Sequence, residues 1–176
     1  MPKTAAAVLA LLVCLTLFSI PVSAQLLPRG NVYGGYSYGQ LTDVTNKQSY
    51  TKGWTASAED LPFVRFSHLG IVLETNGAYR SGVTGSSTMY SAFLGPRLST
   101  NLGRWRPFVH AMAGIRHIKS NDFVYNPITI DFGGGVDYKL WFKNFSWRVQ
   151  GDYMHAHYAS AYQNDYRAST GIVWRF

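Results

Sequence analysis

The 176-residue sequence predicts an all-β chain, an eight-stranded antiparallel up-and-down transmembrane β-barrel. Three observations carry that expectation. The C-terminal stretch YRASTGIVWRF alternates Phe176, Trp174, Ile172, Thr170 and Ala168 against Arg175, Val173, Gly171, Ser169 and Arg167. On a strand this sets an apolar face against a face with two arginines. Seven earlier segments show the same period of two and are separated by polar or glycine-rich stretches. Beyond the N-terminal region no apolar run approaches the ~20 residues of a spanning helix, whereas strands of about 9–11 residues, closed on themselves, leave no backbone edge unpaired in lipid.

The N-terminus reads as a secretory signal. Lys3 precedes an apolar run from about Ala5 to Ile20, and Val22-Ser23-Ala24 supplies small residues at an expected cleavage point after Ala24. The chain therefore divides into residues 1–24, the signal peptide, and residues 25–176, a single barrel domain. Cys14 sits mid-core after Val13, lacks the small residues of a lipidation site, and leaves with the signal. What remains has no cysteine, so no disulfide supports it. Loss of Lys3 lowers the formal charge from +7 to +6. The basic residues are spread without clustering, which argues against nucleic acid as a partner. Anionic lipid headgroups or acidic groups inside a barrel account for the charge.

The first strand, about Asn31 to Leu41, carries Tyr33, Tyr36 and Tyr38, and Asp43 to Ser49 reads as a loop. The second, Lys52 to Glu59, sets Trp54, Ala56 and Ala58 against Thr55, Ser57 and Glu59 before Asp60-Leu61-Pro62 breaks it. The third, His68 to Tyr79, opposes Leu69, Ile71 and Leu73 to Val72, Glu74 and Asn76, and Arg80 to Ser87 is expected to be a loop. The fourth, Thr88 to Thr100, opposes Tyr90, Leu94 and Leu98 to Phe93, Arg97 and Ser99, with a tight turn at Asn101-Leu102-Gly103. In the fifth, Trp105 to Ile118, Val109, Ala111, Ala113 and Ile115 face away from Phe108, His110, Met112 and Arg116, and Lys119 to Pro127 is a loop. The sixth, Ile128 to Leu140, alternates Ile128, Ile130, Phe132 and Val136 with Thr129, Asp131, Asp137 and Lys139. The seventh, Phe145 to Tyr158, opposes Trp147, Val149 and Tyr153 to Arg148, Gln150, Asp152 and Met154. Ala159 to Asp165 is a loop, and the C-terminal stretch is the eighth strand. Longer polar loops thus alternate with shorter turns.

With apolar faces outward, the inward faces collect Glu59, Glu74, Asp131, Asp137 and Asp152 with Arg97, Arg106, Arg116, Lys139, Arg148, Arg167 and Arg175. Such a set can neutralise itself through charge-assisted pairs, and eight strands enclose a lumen narrow enough for side chains to fill. The expectation is a plugged interior; a narrow channel with slight anion preference is the alternative. Trp54, Trp105, Trp147, Trp174 and Phe176 are expected in interfacial aromatic girdles. Gly133-Gly134-Gly135 sits mid-strand without the helix and lysine of a phosphate loop, so it marks a bend or a close approach. His155 and His157 share a face, but two ligands do not make a metal site, and no metal or other cofactor is expected.

The whole of residues 25–176 resembles the small outer-membrane β-barrels of the OmpA-like, OmpX and opacity-adhesin type. The matching pieces are Gly53-Trp54, Phe93-Leu94-Gly95-Pro96-Arg97, Pro107 to Ala111, Gly133 to Tyr138, Asp152-Tyr153 and the Gly171 to Phe176 ending. The resemblance implies an integral, non-enzymatic protein of the bacterial outer membrane, set among its lipids and lipopolysaccharide and serving envelope structure or adhesion-like surface contact. It also implies that the C-terminal strand, with Phe176 as signal, is read by the barrel-assembly machinery. No surface ligand is legible in the loops. Some outer-membrane barrels are lipid A deacylases with a His, Ser and acid triad. Here His157, Ser160 and Asp165 fall in the corresponding region, but the histidine-to-serine spacing is one residue longer than that family's pattern, and Ala161 follows the serine. An envelope enzyme is therefore the third reading.

Overall fold

The computed structural model describes residues 30–42, 48–59, 68–82, 85–120, 123–157 and 162–176. The expected signal peptide lies outside them. The described residues form β1 (Asn31–Thr42), β2 (Gln48–Glu59), β3 (Leu69–Gly82), β4 (Gly85–Ser99), β5 (Trp105–Ser120), the short β6 (Phe123–Tyr125), β7 (Ile128–Lys139), β8 (Phe145–His157) and β9 (Tyr162–Arg175). No helix occurs among the described residues. Every pairing is antiparallel. Apart from β6, which folds back on β5, each strand pairs with its neighbours in sequence, and β1 pairs with β9 to close the ring. Eight strands form the barrel wall.

The closure is staggered. Following partners from Tyr33 through Ser57, Glu74, Phe93, Gly114, Thr129 and Ala156 leads to Gln163, three residues past the Tyr166 partner of Gln40, so the path returns ten residues beyond its start on β1. A stagger of that size in an eight-stranded barrel tilts the strands by about 40°. Twelve to sixteen residues per wall strand at roughly 3.3 Å each, so tilted, are long enough to span the hydrocarbon core of a bilayer.

The period-two pattern produces a sheet whose faces are inverted relative to a soluble protein. Side chains of one parity, such as Leu73, Leu94, Ile115, Ile130, Phe132 and Ile172, lie exposed on the outer wall. The other parity is buried and mostly polar, with a small apolar cluster of Val72, Phe93, Met112 and Met154 inside the lumen. Aromatic pairs ring the outside at two levels. Toward one end are Tyr38–Tyr50, Tyr79–Tyr90 and Tyr153–Tyr166, with ring centroids 5.6, 6.3 and 5.3 Å apart. Toward the end where β1 starts and β9 stops are Trp105–Tyr138 and Trp174–Phe176, at 4.7 and 5.2 Å. Phe176 exchanges backbone hydrogen bonds with Gly30 (3.1 and 3.2 Å) and so completes the β1–β9 seam.

Five expectations are corrected. β2 and β9 each start four residues earlier than the sequence pattern suggested, at Gln48 and Tyr162, and the expected loop of Arg80 to Ser87 is mostly a continuation of the β3–β4 ladder to Gly82↔Gly85. The Lys119 to Pro127 loop contains β6. In each case backbone pairing continues through polar residues once the barrel clears the apolar belt, because a hydrogen-bonded ladder satisfies the main chain in water as in lipid. The alternation of long and short connections is not kept: β2 stops and β3 starts, with nine residues between them in sequence, at the same end as the turns 100–104 and 140–144. Finally, Trp54 stands in the middle of the lengthened β2, beside Tyr36 and over Gly77, not at a strand end.

Candidate functional site in the barrel lumen

The described carboxylates, Glu59, Glu74, Asp131, Asp137, Asp152 and Asp165, are all buried in the lumen. Strand parity places them there, and the stagger sorts them into three tiers with their counter-charges.

The lowest tier closes the end at which β1 begins. Arg148 lies across Asp137 in the β7–β8 register and grips it through Nε–Oδ1 at 2.6 Å and Nη2–Oδ2 at 3.0 Å. Its other edge reaches across the lumen to Glu59, with Nη2–Oε2 at 2.9 Å and Nη1 donating to Oε1. Glu59 also accepts from Ser57 Oγ (2.7 Å) and pairs with Arg97. Arg175 donates to Asp137 at 3.2 Å, and Arg106 donates to Ser99 Oγ at 2.8 Å. The Phe108 ring fills the centre, with the Arg97 and Arg148 guanidinium carbons 3.7 and 4.6 Å from its centroid; Arg148 also lies 4.7 Å from the Tyr33 ring. Arginine suits this place because its planar fork holds two carboxylates at once and stacks on aromatic faces.

In the middle tier Arg167 is the cation. It donates to Asp152 Oδ2 (2.8 Å), to Asp131 Oδ2 (3.4 Å) and to Glu74. Gln150 Nε2 bridges Glu74 (3.1 Å) and Asp152 (3.0 Å). His110 Nε2 stands 3.2 Å from Asp152 Oδ1 and 3.9 Å from Asp131 Oδ1. Gly133 is the register partner of both His110 and Asp152, and a Cβ there would lie 2.3 Å from the Asp152 carboxylate and 2.5 Å from His110 Nε2. Gly135 makes the same allowance for Phe108, whose ring tip would be 2.8 Å from a Cβ. The triple glycine is thus a close approach, where rings from β5 lean over a wall without side chains.

The upper tier is the Arg116–Asp165 pair, backed by Met154 Sδ 3.0 Å from Arg116 Nη2 and by Gln163, which donates to Asp165 at 3.0 Å.

No family model matches the chain, and no curated protein matches it in sequence. Solved structures do match. Neisserial surface protein A aligns with a TM-score of 0.70 at 11% identity, over 85% of this chain and 99% of its own. Ail, the attachment invasion locus protein of Yersinia pestis, aligns at 0.56 and 14% identity, over 84% of this chain and 98% of its own. The N-terminal β-barrel domain of Pseudomonas aeruginosa OprF aligns at 0.55 and 12%, over 84% and 97%. The chain has the fold of the small eight-stranded outer-membrane barrels.

Within this small-barrel fold the lumen brings together Glu59, Glu74, Arg97, Asp131, Asp137, Arg148, Asp152, Arg167 and Arg175 as buried ion pairs, with Arg106 at their edge. Arg116 belongs to the separate upper pair. Lys139 has the inward parity but lies exposed where β7 ends, because the wall stops there, and it stands outside the network. Trp105, Trp147, Trp174 and Phe176 lie outside near one end of the barrel. Sequence reasoning missed Asp165, assigned to a loop, and His110, left as one residue of an inward face; an inward-facing histidine level with Asp131 and Asp152 was the available signal. The expected acid of the enzyme triad, Asp165, is held by Arg116 inside the lumen. His157 is exposed and has the outward parity, and Ser160 lies outside the described residues. His155 Nδ1 donates to Asn164 Oδ1 at 2.7 Å on the outer wall.

Proposed function

We propose that this chain is an integral protein of the bacterial outer membrane whose lumen is closed, and that it serves envelope structure and surface contact without enzymatic activity. The observation that carries the reading is the inverted barrel: an apolar, aromatic-girdled exterior around Phe108, Arg97 and Arg148 locked between Glu59 and Asp137. Lipid rewards that exterior, and the cross-lumen lattice of buried charge pairs supports a filled lumen over an open channel. The secretory signal of residues 1–24 would deliver the chain, and the C-terminal strand ending in Phe176 would engage the assembly machinery. Lipopolysaccharide and phospholipid would then face the outer wall. Surface contact would fall to the end at which β1 and β8 stop, in keeping with an attachment protein among the structural neighbours.

Single-channel recording tests this. Protein purified folded from the membrane and inserted into planar bilayers is expected to show no steady conductance steps. Reproducible steps would replace this reading with a narrow channel, and anion selectivity would point to Arg97, Arg148 and Arg175. Retention in the membrane pellet through carbonate washing checks integral insertion separately.

A further inference from the structure

The middle tier has too few cations for its carboxylates. Glu74, Asp131 and Asp152 converge on Arg167, each of the four side chains nearly fully buried. With a neutral imidazole this leaves an excess of two negative charges in a desolvated space, where uncompensated charge is strongly unfavourable. The other lumen arginines are engaged elsewhere: Arg97 and Arg148 below, Arg116 above.

The orientation of the two aspartates is informative. Each turns Oδ2 toward Arg167 and Oδ1 toward His110. Neither Asp131 Oδ1 nor His110 Nε2 completes a hydrogen bond, although both side chains are at least nine-tenths buried. His110, Asp131 and Asp152 each offer one ligand atom within 4.8 Å of the other two. Ligands of a tetrahedral ion at ~2.1 Å are about 3.4 Å apart. The His110–Asp152 distance of 3.2 Å already fits, and the His110–Asp131 distance of 3.9 Å needs a closure of only about half an ångström. Gly133 keeps the wall clear between them. Arg167 and Gln150 would act as outer-shell groups that aim the carboxylates, as metal sites require.

We propose that His110 Nε2, Asp131 Oδ1 and Asp152 Oδ1 form a divalent-cation site inside the barrel. One imidazole and two carboxylates suit a borderline ion such as Zn²⁺, Mn²⁺ or Fe²⁺. Its two positive charges offset the two negative charges that Arg167 leaves. The competing account makes His110 an imidazolium that serves as the second cation, with no ion bound.

The test uses the full protein purified folded from membranes in detergent, treated with chelator, dialysed and titrated with Co²⁺ and Zn²⁺. One equivalent per chain is expected, with visible Co²⁺ d–d absorption. Affinity is expected to fall by more than the roughly 10–100-fold that loss of an outer-shell partner causes in either His110→Gln or Asp131→Asn. It is expected to be unchanged in His155→Ala/His157→Ala. Heat-dependent gel mobility identifies folded variants, and the two single substitutions serve as alternates if one does not fold. Absence of stoichiometric binding to the folded parent would overturn the proposal. So would binding that survives His110→Gln but is lost in His155→Ala/His157→Ala, which would put the ion on the outer rim.

Discussion

The lowest lumen tier allows charge balance and hydrogen-bond count to be separated. Glu59 and Arg148 each take part in four polar contacts: Arg148 makes two to Asp137 and two to Glu59, while Glu59 receives two from Arg148, one from Arg97 and one from Ser57. A count of bonds therefore ranks Glu59→Gln and Arg148→Met equally. The charges rank them differently. Removing Arg148 leaves Glu59 and Asp137 facing Arg97 and Arg175, a balanced set, so the loss is confined to its hydrogen bonds, with no buried charge stranded. Removing the charge of Glu59 leaves Asp137 alone against Arg97, Arg148 and Arg175, two of them almost completely buried. Stranding buried charge costs about 3–5 kcal/mol. With the bond losses matched, Glu59→Gln is accordingly expected to be the more destabilising by roughly 3–5 kcal/mol, more than a hundredfold difference in the unfolding equilibrium constant. Reversible urea unfolding in lipid vesicles, followed by tryptophan fluorescence and gel mobility, measures it. Equal losses, or a larger loss for Arg148→Met, would refute the charge argument and leave the tier as a bond network indifferent to sign.

Gly133→Ala places a methyl group against Asp152 and His110 and is expected to destabilise by about 1–3 kcal/mol, whereas Gly151→Ala, with nothing within 4 Å of the new Cβ, is expected to be neutral or stabilising by up to about 1 kcal/mol; the same unfolding assay compares them. Phe132→Arg puts a charge on the outer wall mid-way along β7, where Phe132 is 52% exposed, and should cost about 2–4 kcal/mol in lipid; an unchanged midpoint would contradict the lipid-facing assignment. Phe176→Ala is expected to lower the amount of folded protein reaching the membrane in cells while leaving refolding of purified chain into vesicles largely intact. A loss equal in both settings would assign Phe176 to barrel stability alone, through its packing on Gly30 and Trp174.

The inward faces of the strands were legible because side-chain alternation is local: Asp137 and Arg148 could be assigned to the lumen from neighbours two positions away. The ends of the strands were less legible. At Gln48, Gly82 and Tyr162 nothing apolar marks the pairing, which a partner strand supplies by hydrogen bonding. Asp165 was lost to a loop for that reason and regained when β9 proved longer.

The sequence by itself determined the all-β class, the eight wall strands, the inverted polarity of their faces and most of the residues that share the lumen, Asp165 and Lys139 excepted. All of these follow from a period of two and from turn chemistry read over a dozen residues at a time. Only the tertiary structure decided which charges meet. Arg148 and Glu59 are 89 positions apart and Arg167 and Glu74 are 93 apart. The ten-residue stagger of the closed barrel, a property of all the registers together, sets them level with one another. The β5–β7 and β7–β8 registers bring His110 beside two aspartates across a glycine, an arrangement that no single strand contains.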